Sequence, residues 1–243
     1  SKYSGRKLPL FRNTMAQIEH NLISADEIAL FKQYYNTFST EKYVNATTDD
    51  HLMVNQGPII DHRLLIEPSK SQQCWDIVQR VTHHFLPGCE NIWANYQRQS
   101  LPHSTHVDDY CKHFDVPTYT VIIALDTHPE FNVILCKEEA DSNDHLSQML
   151  YNWATPAPNP ATKICNISET EDLDHSIDPV HQQYFLDWLT PDGVFRYTAG
   201  SGVFFLASQI HCSGNWHKYN KFINKDLVQI HAHYNKGTGN VSI

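Results

Sequence analysis

The chain has 243 residues, 41% of them hydrophobic and 12% aromatic, enough to bury a sizeable core. Its formal charge of -9 argues against a phosphate-backbone binder, and no apolar run is long enough to span a bilayer. The basic start Ser1–Lys7 lacks the apolar core of a signal peptide, and the six cysteines form no C-x-x-C pair. They read as reduced thiols of a cytoplasmic protein with no nucleic-acid or membrane partner.

In chain order, residues 1–20 mix basic and apolar side chains and read as an arm or a first strand. Ser24 and Glu27 have the spacing of a capping box, and the stripe Ile28, Phe31, Tyr34, Tyr35, Phe38 predicts a helix over about 25–38. Asn45–Asp50 reads as a polar loop, with short strands expected at His51–Val54 and Ile59–Ile66. Ser69–Ser71 opens a second helix with Trp75, Val78, Val81 and Phe85 on one face, and Pro87-Gly88 ends it. Ile92–Gln99, Thr118–Leu125 and Phe131–Cys136 have strand composition. From Lys137 to about Arg196 the pattern breaks into acidic and proline-rich stretches, with one helix expected around Val180–Leu189. This length predicts an insertion or lid. Strands resume at Gly202–Ala207 and Leu227–Tyr234. The order predicts an α+β, mainly β chain: an antiparallel core with N-terminal supporting helices outside it and a long insertion.

Histidine is abundant, at 16 residues. One pair has the spacing of chemistry, His106-Val107-Asp108 in the stretch Leu101–Tyr110. Two residues apart in an extended chain project to one face, so an imidazole and a carboxylate are aimed at one point. His211 follows a strongly apolar strand and precedes the small-residue turn Ser213-Gly214, and is the expected third ligand. Two histidines and one carboxylate make the facial site of non-haem iron, with positions left open. His217 is the alternative distal ligand, and His103 an alternative to His106. His103 and Asp109 otherwise read as supporting residues. His231 and His233 share a strand face and line a pocket or pack. Arg98 is a candidate for a substrate anion, with a surface ion pair equally open.

With Tyr96, His106-Val107-Asp108, the apolar strand from Tyr119, Gly202–Leu206, His211 and Lys225 in that order, the chain resembles the Fe(II)- and 2-oxoglutarate-dependent dioxygenases. The turn after His211 and the ending Ile230–Tyr234 are similar to the phytanoyl-CoA-hydroxylase branch. The use of a lysine is similar to the prolyl-hydroxylase branch. The resemblance covers about residues 91–236. It implies a double-stranded β-helix (jelly-roll) core in one dioxygenase domain over 1–243, with support in 1–90, core strands in 91–136 and 197–236 and the insertion at 137–196.

The implied site has His106, Asp108 and His211 on Fe(II), and Lys225 or Lys221 on the distal carboxylate of 2-oxoglutarate, helped by Tyr96 or Tyr119. Arg98, His103 and His233 would face the substrate. The implied reaction consumes O2, releases succinate and CO2 and hydroxylates a small molecule or a protein side chain, with ascorbate as a possible reductant. Asp108 argues against halogenation, because the resembling halogenases replace that carboxylate with a small residue. Two departures concern the co-substrate: a lysine replaces the usual arginine, and Thr127–Glu130 stands where a Gly-Gly turn is common. Two other readings use the same residues: a non-catalytic jelly-roll binding protein and a zinc-dependent hydrolase.

Overall fold

A computed structural model describes residues 16–38, 43–44, 61–100, 102–108, 116–152, 189–214 and 223–236. Its framework is a seven-stranded antiparallel sheet in the order β1-β8-β5-β10-β4-β3-β2. The strands are β1 (Gln17–Glu19), β2 (Tyr43–Val44), β3 (Asp61–Leu65), β4 (Asn91–Gln99), β5 (Thr118–Ala124), β8 (Gly202–Leu206) and β10 (Lys225–His233). A second sheet, β7-β6-β9, is built from β6 (His128–Glu139), β7 (Pro191–Tyr197) and β9 (Gln209–Gly214). The segment around His106 extends it: His106 and His211 exchange both backbone hydrogen bonds at 2.9 Å.

Side chains alternate between the two faces of a strand, so each central strand serves two environments. One face of the large sheet carries Ala94, Tyr96, Tyr119, Val121, Ile123, Phe204, Val228 and Ile230. It packs against α1 (Ala25–Phe38) and α2 (Gln72–Phe85) through Phe31, Tyr34, Tyr35, Ile77, Val78 and Val81. Each such buried side chain contributes roughly 1.5–3 kcal/mol relative to exposure. The helix starts form as their residues dictate. The Ser24 and Glu27 side chains bond each other's backbone N–H at 3.2 and 2.8 Å. The Ser71 hydroxyl caps α2 by accepting from the Cys74 N–H. The other face, through Ile122, Ala124, Val203, Phe205 and Leu227, meets Phe131, Val133, Leu135 and Phe195 of the small sheet. Gly200 turns the chain between β7 and β8 at a φ of +85°, and its carbonyl accepts from Leu22 and Ile23.

Several sequence expectations change here. The stretch from Lys137 to Arg196 holds regular structure at both ends. β6 runs on to Glu139, α3 occupies Asn143–Asn152, and β7 pairs antiparallel with β6. Polar and proline residues hid these elements because Pro191 and Asp192 stand at the very start of a strand, where a missing N–H is tolerated. Ser213-Gly214 is not a turn: both belong to β9, paired with Val133 and Asn132. The expected strand at 51–54, the loop at 45–50, the helix around 180–189, and Lys221, His217 and Asp109 lie outside the described residues. Cys74, Cys89, Cys136 and Cys212 are buried, and none of these four is in a disulfide.

Candidate metal centre

The His-x-Asp segment is held from both sides. Asp108 N–H donates to the Ala207 carbonyl at 2.9 Å. The Asn143 side chain of α3 accepts from Val107 N–H and donates to its carbonyl, at 2.9 and 3.0 Å. Val107 packs outward against Ile210 and Cys212, so His106 and Asp108 point inward. His211 faces the same way from β9, opposite Leu135 and against the Phe205 ring. One donor atom each of His106, Asp108 and His211 lies within 4.8 Å of the others. Asp108 Oδ1 is 3.8 Å from His106 Nε2 and 3.6 Å from His211 Nε2.

Each imidazole is fixed by its own strand. His106 Nδ1 bonds the Ser104 carbonyl at 2.5 Å and His211 Nδ1 bonds the Gln209 carbonyl at 2.8 Å. A carbonyl only accepts, so both Nδ1 atoms carry the proton and both Nε2 lone pairs face the shared point. Burial first, then the charge of His211, lowers His106 to about 4, so it is a neutral ligand at neutral pH. Burial alone would raise the Asp108 carboxyl. The charge and hydrogen bond of His211, with the charges of His231 and His106, outweigh it and hold the carboxyl well below the usual carboxylate range. Two imidazoles and one anionic oxygen are the donor chemistry of a 2-His-1-carboxylate metal face.

The other expected residues separate by strand face. Lys225 is buried on the cavity face at the start of β10, opposite Gln99 of β4. Its ammonium lies 4.4 Å from the Tyr197 ring centre and 3.3 Å from the Tyr197 hydroxyl. His103 stands beside the metal face, 5.7 Å from His106 between ring centres. Burial, then the charges of His106, Lys225 and Arg63, push its pKa far down. His233 shares the cavity face at the far end of β10, its Nδ1 on the Tyr234 carbonyl.

Tyr96, Tyr119 and Arg98 are not brought to this cavity. Tyr96 stacks on Tyr35 and donates to Asp226, and Tyr119 stacks on Phe204, both under the helices. Arg98 makes a two-pronged bond to Asp226 at 2.7 Å and lies over the Tyr35 ring. Even-numbered residues of β4 and odd-numbered residues of β5 point away from the metal face, so these three are structural.

Apart from His231, which the sequence reading set on a pocket or packing face with His233, the positions that do face it went unassigned in the sequence. Asn95, Gln97 and Gln99 form an amide ladder with Gln229: Gln97 donates to Asn95 and Gln229 at 2.7 and 2.5 Å, and Gln99 donates to Gln97 at 2.5 Å. Arg63 of β3 pairs with Gln97 in register and shares its face. Thr120 bonds Asp108 directly, and His231 bonds Thr120. The visible signal was the alternation of polar Asn95, Gln97 and Gln99 with Ala94, Tyr96 and Arg98.

No family model and no curated protein sequence matches this chain. Solved structures do. A prolyl-4-hydroxylase from Pseudomonas putida superposes with a TM-score of 0.52 at 10% identity, over 92% of this chain and 94% of its own. The non-haem α-ketoglutarate-dependent epimerase SnoN of nogalamycin biosynthesis gives 0.56 at 13% identity, over 92% and 80%. HygX from Streptomyces hygroscopicus, with nickel and 2-oxoglutarate bound, gives 0.52 at 10% identity, over 93% and 85%. At these identities the likeness is one of fold. The chain has the jelly-roll fold of 2-oxoglutarate-dependent oxygenases, with the His106, Asp108, His211 cluster on its inner face. Among the described residues no helix is long and apolar enough to cross a membrane.

Proposed function

We propose that this protein is a non-haem Fe(II)- and 2-oxoglutarate-dependent oxygenase that hydroxylates a small molecule or a protein side chain. The observation that carries the reading is the convergence of His106 Nε2, Asp108 Oδ1 and His211 Nε2, with both Nδ1 atoms tied to carbonyls. These three atoms would hold the iron. Iron with 2-oxoglutarate and O2 supplies an oxidant for unactivated C–H bonds, with succinate and CO2 as co-products. Lys225 is the residue for the distal carboxylate of the co-substrate, as a point charge with the Tyr197 hydroxyl beside it. His103, held neutral by burial beside His106, offers a hydrogen bond without adding charge. Arg63, the amide ladder and His233 line the cavity side where a polar substrate would lie.

The test uses purified chain with Fe(II), 2-oxoglutarate, O2 and ascorbate. Succinate forms, and Mn(II) with 2-oxoglutarate raises the unfolding temperature. His106→Ala and His211→Ala remove both effects. Wild-type protein that neither makes succinate nor gains stability with the metal refutes the reading.

A further inference from the structure

Beneath the three ligands lies a hydrogen-bonded chain that holds one of them. Thr120 is fully buried in the middle of β5, on the cavity face, directly opposite His231 of β10 and Phe205 of β8. Its hydroxyl oxygen is 2.5 Å from Asp108 Oδ2 and 3.2 Å from His231 Nδ1. The other carboxylate oxygen, Oδ1, faces both imidazole Nε2 atoms. Resting on the oxygenase reading above, we propose that Thr120, backed by His231, is the positioning residue that makes Asp108 a ligand through Oδ1 alone.

The directions of the bonds follow from donor counting. An ionised carboxylate only accepts, so the single Thr120 proton goes to Asp108 Oδ2. The Thr120 oxygen then accepts from His231, which fixes the proton of that imidazole on Nδ1. His231 is itself buried and lies against Trp93, with ring centres 5.5 Å apart. Asp108 is thus held at two points, its backbone N–H on the Ala207 carbonyl and its outer carboxylate oxygen on Thr120. It cannot swing so that both oxygens reach one ion without breaking the 2.5 Å bond. A carboxylate that used both oxygens would take a position that the co-substrate or O2 requires. Valine has nearly the shape of threonine and suits the strand equally, so strand formation does not explain the hydroxyl.

The full chain loaded with Mn(II) tests this without any substrate. Metal affinity comes from calorimetry, and the water molecules on Mn(II) are counted by solvent-proton relaxation. Thr120→Val weakens Mn(II) binding by about 10–100-fold, the usual effect of losing a partner behind a ligand. It lowers the inner-sphere relaxivity by about a third, as a second carboxylate oxygen displaces one of about three waters. Thr120→Ser restores both. His231→Leu, which removes the donor behind Thr120, shifts both quantities in the same direction and serves as the second variant if Thr120→Val does not fold. Wild-type protein that binds no Mn(II) overturns the oxygenase reading and this one with it. Wild-type affinity and relaxivity in folded Thr120→Val, or in His231→Leu if that alone folds, overturn the positioning role and leave the oxygenase reading standing. Failure of Thr120→Ser to restore what Thr120→Val lost also overturns it.

Discussion

The two faces of the large sheet use the same strands in opposite ways. On the helix side, Ala94, Val121, Ile123, Val228 and Ile230 are buried among Phe31, Tyr35 and Val78. On the cavity side of β4 and β10 the equally buried positions are Asn95, Gln97, Gln99, Lys225 and His231. Apolar residues at those positions would stabilise the fold, whereas buried amides and charges at best break even against the water they give up. The amides hydrogen-bond one another, which limits that cost without removing it. One face is therefore built for stability, and the β4–β10 part of the other is built for a ligand. The helix face also carries a buried carboxylate, a polar exception. Asp226 accepts from Tyr96 and Arg98 and is only 3% exposed, a closed network of bonds within the core.

This contrast predicts effects of unequal size. The largest is on metal binding. Asp108→Ala removes the anionic donor, and Mn(II) affinity falls at least about 100-fold by calorimetry, while the urea midpoint of the metal-free protein moves little. A Phe31→Ala change on the helix face does the reverse. It costs about 3–5 kcal/mol in urea unfolding and leaves the metal affinity of the folded fraction unchanged.

Acid gives the next effect. His106, His103 and His231 are all held neutral by burial, with folded pKa values below those of the unfolded chain. Between pH 6.5 and about 4 the unfolded chain binds more protons than the folded one, so stability of the metal-free protein falls as pH drops through that window. His106 alone supplies up to about 3 kcal/mol of this. Thermal unfolding at pH 7 and pH 5 measures it, and a flat profile removes the buried neutral histidines from the account. The smallest effect belongs to the exception. Asp226→Asn strips the charge that Arg98 grips and costs about 2 kcal/mol in stability, with metal affinity unaltered.

Much of this was readable along the chain. The helices at Ala25–Phe38 and Gln72–Phe85 were expected because their apolar residues recur at helical spacing behind serine caps. The metal pair was legible because two residues two apart share a face in any extended segment, and His211 because it ends an apolar run. What failed was the choice among tyrosines and arginines. Tyr96, Tyr119 and Arg98 have the right chemistry, but a shift of one residue sends a side chain to the opposite face. Pairing register is set by neighbouring strands far away in sequence, as with Gln97 between Arg63 and Leu227.

The sequence by itself determined the two helices, most of the core strands and three metal-ligand candidates, because local spacing carries periodicity and chemistry together. Only the tertiary structure decided which face of each strand met the ligands. It also decided that β9 runs on through Ser213-Gly214 where a turn was expected, and that Thr120 stands behind Asp108. Those outcomes depend on contacts between residues 12 to about 130 positions apart, and no local pattern encodes which of two alternating faces is turned inward.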